Sequence, residues 1–133
     1  MRDAIEKDPE LAIGTAKEFL ETLSKTILSE RGAILTGNEV LPALVRTTIM
    51  SLSIVPPGIA DPAQSEETLT ALLRNLGSIG HQLAEVRNQL GTGHGRQSQH
   101  VGLQRGHAKL VVGAATTLAV FLYECHEADK ERE

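Results

Sequence analysis

Aromatic residues are nearly absent: the 133-residue chain has no tryptophan, one tyrosine and two phenylalanines. Any core must therefore be built from Leu, Ile, Val and Ala, which suits helix packing better than a sandwich or barrel. The same lack argues against a base-stacking platform, which needs exposed rings. A single cysteine, Cys125, excludes an internal disulfide and any cysteine-based zinc pattern, so a reducing, cytoplasmic setting is expected. The opening "MRDAIEKDPELA" carries acids where a secretory signal needs a basic start and an apolar run. The most apolar window, Leu110 to Tyr123, is shorter than the ~20 residues that span a bilayer and reads as a buried helix.

Acid is missing from one region altogether. The net charge is −4, yet residues 86–123 contain Arg87, Arg96, Arg105 and Lys109 and neither Asp nor Glu. Three of the five histidines, His94, His100 and His107, fall in the same stretch. A solvated positive face accounts for this, and so does an anion site.

What is present is helical periodicity. Asp8-Pro9-Glu10 supplies a capping side chain, a proline where no N–H is needed, and an acid at the positive dipole end. The stripe Ala12, Ala16, Phe19, Leu20, Leu23, Ile27 follows, and Gly32 marks the stop. A shorter helix is predicted from about Val40 to Leu52, with Asn38 as its cap and the Pro56-Pro57-Gly58 run after it. Asp61-Pro62 repeats the first start signal, with Gln64 placed for a capping box. From there Leu69, Leu72, Leu76, Ile79, Leu83, Val86 and Leu90 predict a helix about 42 Å long, ended by Gly91. Gly77 and Gly80 within it predict a close helix approach. A last helix is drawn from about Arg105 to Glu127 on Val111, Ala114, Leu118, Phe121 or Leu122, and Cys125, followed by a charged tail expected to fray. These parts imply one domain over residues 1–133, core about 8–127. Its expected fold is all-α: an up-and-down bundle of about four helices, the last two forming a hairpin.

The segment "EVRNQLGTGHGRQ", residues 85–97, is the unusual one. Its glycines match neither a P-loop nor a dinucleotide fingerprint in spacing or context. The three histidines follow at steps of six and seven, without the i, i+3 or i+4 spacing or the carboxylate a zinc shell uses, so no metal or cofactor is assigned. His81 and His126 read as surface or core-edge residues, and Cys125 as a small buried hydrophobe. In an unbroken helix Arg87 and His94 would stand about 10.5 Å apart along the axis. A helix that stops at Gly91 lets the chain turn back and bring His94 toward Arg87 and Asn88. A guanidinium that grips phosphate and an imidazole that moves a proton near neutral pH are what RNA phosphodiester cleavage requires. Arg87 is equally explained as a cation favoured by a helix C-terminal dipole.

"DPELAIGTAKEFLETLSKTIL", "LPALVRTTIMSL", "LAEVRNQLGTGHGR" and "HAKLVVGAATTLAVFL" resemble, in order, the abortive-infection C-terminal (Abi-C) domain of bacterial phage-defence proteins. That family is in turn similar to the HEPN superfamily, helical bundles many of which are metal-independent RNases. Their hallmark is Arg, commonly followed by Asn, His or Asp, then His after four to six intervening residues. The match is Arg87, Asn88 and His94, with six residues between Arg87 and His94. The resemblance implies His94 as general acid or base, Arg87 as the phosphate-stabilising group and Asn88 as a positioning residue, in a site built across a homodimer. Arg96, Arg105 and Lys17 are the candidate RNA- or phosphate-binding cations, Lys17 sharing a polar face with Glu21 and Lys25. A phage-defence ribonuclease acting on RNA, with a possible neutralising partner protein, is the function implied. The alternative is a non-catalytic RNA- or protein-binding helical module.

Overall fold

Four helices make up the computed structural model, which describes residues 8–91 and 101–132: α1 (Pro9–Glu30), α2 (Leu41–Ser51), α3 (Pro62–Gly91) and α4 (Val101–Arg132). No strand occurs among the described residues. The chain is an all-α four-helix bundle, as its composition implies.

The caps follow the sequence closely at α1 and α3. Asp8 Oδ1 accepts the Leu11 N–H at 3.1 Å, and Asp61 Oδ1 accepts the Gln64 N–H at 3.2 Å. At the end of α1, Gly32 takes φ +85°, which a residue with a Cβ rarely adopts. This lets the Ala33 N–H reach back to the Leu28 carbonyl at 2.9 Å and the Gly32 N–H to Ser29 at 3.1 Å, a Schellman closure. The cap expected at Asn38 is instead Val40, which offers no side-chain bond. Glu39 takes the organising role: its carboxylate accepts the Thr36 N–H and hydroxyl and the Gly37 N–H, and these bonds hold its pKa down at about 2.

Arg31, at the C-terminal end of α1, donates to the Ser51 carbonyl at the end of α2 (2.6 Å) and meets Asp129 near the end of α4 (3.3 Å). Further up, Lys17 and Leu20 of α1 share a cavity with Leu41 at the start of α2 and Val111 of α4. These three helices therefore point the same way. The first residues of α3 pack beside the connection that leaves α2, so α3 runs back between α2 and α4. Up-and-down succession thus holds from α2 to α4, while α1 and α2 are joined by a crossover over residues 31–40.

The core lies where α1 and α4 face each other, with α2 and α3 closing its other side. Small residues on both partners, Ala12 and Ala16 against Ala108, Ala115 and Ala119, let α1 and α4 share this core. By length and composition α4 would also pass as a membrane span, yet Ala108, Leu118 and Leu122 are wholly covered within the bundle.

Three expectations are corrected by packing. Phe19 is 47% exposed and Leu72 is 53% exposed, while Leu20 and Leu73 beside them are buried. The charged tail does not fray after Glu127, because α4 continues to Arg132 and buries Asp129. The approach expected at Gly77 is real: a Cβ there would lie 3.2 Å from Val45 Cγ1 and 3.6 Å from Leu118 Cδ2.

Candidate active site at the hairpin end of α3 and α4

Arg87 and Asn88 lie near the end of the described part of α3, which reaches Gly91; the stop expected there falls at the edge of the described residues. His94 and Arg96 fall outside the described residues, as do all of residues 92–100. Arg105 is exposed in the second turn of α4, at this same end of the bundle. The structure therefore brings Arg105 to the level of Arg87 and Asn88.

Lys17 stands elsewhere. It lines an apolar cavity of about 370 Å³ with Leu20, Leu41, Leu76, Gly77 and Val111. Ten residues separate Gly77 from Arg87, about 15 Å along the α3 axis. Its neighbours on the polar face pair with each other, Lys25 Nζ lying 2.8 Å from Glu21 Oε1, and that bond raises the Lys25 pKa.

The opposite end carries a cluster that sequence reasoning did not find. His126 is buried, its Nδ1 3.3 Å from the Arg31 guanidinium and its Nε2 3.2 Å from Glu30 Oε1. A guanidinium only donates, so Nδ1 accepts from Arg31 and Nε2–H donates to Glu30. That bond, with the Lys130 ammonium beside it, holds the Glu30 carboxyl below its ordinary range. Burial alone would push the Asp129 carboxyl up; the Ser53 N–H, Arg132 and the Arg31 charge outweigh it and leave the pKa lowered. This clasp ties the ends of α1, α2 and α4 together. Its signal in the sequence was only His126 and Asp129 at i, i+3 on the core side of α4, continuing the stripe of Leu118 and Leu122.

The geometry defines an all-α bundle with an Arg-Asn pair at the end of its long third helix. Residues 1–126 match the family model Abi_C, described as a HEPN-like domain, and the chain belongs to that abortive-infection-related family. No curated protein and no solved structure matches the chain.

Proposed function

We propose that this protein is a cytoplasmic phage-defence endoribonuclease that cuts RNA without a metal ion, using Arg87, Asn88 and His94 in a homodimer. The observation that carries the reading is the placement of Arg87 and Asn88 near the end of the described part of α3, at the end of the bundle where Arg105 is exposed, in a chain of the HEPN-like family. In the reaction, an imidazole takes the 2′-hydroxyl proton and the 2′-oxygen attacks the adjacent phosphorus. The bond to the 5′-oxygen breaks, that oxygen takes a proton, and a 2′,3′-cyclic phosphate remains. Arg87 neutralises the charge gathering on the phosphoryl oxygens, and a guanidinium suits this because it offers two parallel donors. A second copy of the chain across a two-fold axis supplies the other proton-transfer group. The exposed Arg105 and the acid-free run that contains it give the RNA backbone a positive approach in an otherwise acidic protein. A protein that neutralises the nuclease before infection fits this role.

The test is cleavage of labelled RNA by the intact protein in excess chelator. Loss of cleavage in Arg87→Ala and in His94→Ala, with an unchanged helical spectrum, is expected. RNA binding by the parent without any cleavage would replace the enzyme with a binding module.

A further inference from the structure

Two cations outside the Arg-Asn-His motif share a cleft. Arg46 of α2 and Arg74 of α3 line a cavity of about 200 Å³ together with Val45, Gly77 and Ser78. Both arginines are exposed, and neither guanidinium has a hydrogen bond or an ion pair among the described residues. Lys25, Arg31, Lys130 and Arg132 each face a carboxylate instead. The sequence explains the contrast: residues 40–60 and 68–84 contain no Asp or Glu, and Arg46 and Arg74 are their only Lys or Arg.

Gly77 brings the two arginines to one place. Its missing Cβ lets α2 come close, since a Cβ there would stand 3.2 Å from Val45 Cγ1. Arg46 follows Val45 on the outward side of α2. Arg74 stands one turn before Ser78, whose hydroxyl donates to the Arg74 carbonyl at 2.9 Å. Each wall of the cleft thus carries one guanidinium. Like charges set side by side without an acid repel each other, and an anion between them turns that repulsion into attraction. The planar fork of a guanidinium matches the oxygens of a phosphate. Arg74 precedes Arg87 by thirteen residues, about 20 Å along the α3 axis, which an extended RNA strand covers in a few nucleotides.

We infer that Arg46 and Arg74 form an RNA-backbone site on the α2–α3 face, gripping one phosphate a few nucleotides from the bond that is cut. Its part in cleavage rests on the ribonuclease reading; the phosphate contact itself does not. Backbone contacts position a strand without reading its bases, so the site lengthens the hold on RNA and leaves its sequence free.

The experiment uses the full chain and a fluorescent 2′-O-methyl oligouridine, which lacks the free 2′-hydroxyl that cleavage needs. Binding is followed by anisotropy over a range of salt. Arg46→Ala/Arg74→Ala is expected to weaken binding about 10-fold, the scale of a lost hydrogen bond to a charged group. The slope of log K against log salt should fall by about 0.7, the share of one single-strand phosphate. Thr15→Glu/Thr22→Glu makes the same change in net charge on the exposed face of α1 and should keep the parent slope. An unchanged slope in Arg46→Ala/Arg74→Ala, or an equal fall in both double variants, overturns the site. In nitrogen-15 spectra the Nε resonances of Arg46 and Arg74 move when the strand is added. Movement with inorganic phosphate and none with the strand assigns the cleft to a free anion and overturns the RNA contact. The expected fall in slope, in a protein that cuts no RNA, upholds the site and removes the ribonuclease reading; an unchanged slope in a protein that does cut RNA removes the site alone.

Discussion

Replacing Gly77 with alanine sets two effects of known size against each other. An alanine in a helix interior is worth about 1 kcal/mol over glycine, so α3 alone would gain. The new Cβ would sit 3.2 Å from Val45 Cγ1, inside the ~3.5–4.0 Å at which carbon atoms attract. Val45 is buried and β-branched, with one strongly preferred rotamer in a helix, and cannot swing aside. Overpacking of this kind costs about 1–3 kcal/mol, so Gly77→Ala is expected to lose about 1 kcal/mol net. In a Val45→Ala background the obstructing methyl is gone and Leu118 Cδ2, at 3.6 Å, is in ordinary contact. There the same change should gain about 1 kcal/mol, a coupling of about 2 kcal/mol between the two positions. Denaturant midpoints at constant m, or melting shifts of about 4 °C per kcal/mol, measure both arms. An equal gain in both backgrounds would refute the close approach at Gly77.

Arg31→Ala removes the donor to Ser51 and the cation facing Asp129, and a loss of about 2–3 kcal/mol in chemical denaturation is expected, only partly recovered by Arg31→Lys. Glu39 has a folded pKa of about 2 against an ordinary 4.5, so its contribution is complete above pH 4.5 and is lost as pH falls through about 2. The melting difference between the parent and Glu39→Gln should therefore be constant above about pH 5.5 and vanish near pH 1; a difference that survives there contradicts the assignment. Burial, with the acids Asp129 and Glu124 nearby, pushes the Cys125 thiol up, so alkylation of the native chain at pH 7 should be much slower than that of the unfolded chain.

The helices were legible because their start and stop signals are local. Asp8-Pro9, Asp61-Pro62 and Gly32 act through hydrogen bonds to residues three to five away, and each stands where the sequence sets it. Phe19 and Leu72 were misassigned because helical spacing permits either of two adjacent columns, and only the neighbouring helix decides between Phe19 and Leu20 or Leu72 and Leu73. The docked end of α4 was invisible because the partners that dock Asp129 and His126 onto α1 and the end of α2, namely Arg31, Glu30 and Ser53, are 76 or more residues away. The crossover between α1 and α2 was hidden for a like reason, since nothing in residues 31–40 announces that the chain returns to the top before α2 begins. The candidate site is legible as a motif, with Arg87 and Asn88 in α3, while His94 and Arg96 fall outside the described residues.

The most direct test of the central claim is cleavage of an RNA containing a single ribonucleotide linkage, in excess chelator, by the parent and by Arg87→Ala and His94→Ala. The expected result is a 2′,3′-cyclic phosphate end from the parent and none from either variant. Cleavage that persists in both variants, or that disappears from the parent on chelation, would contradict it.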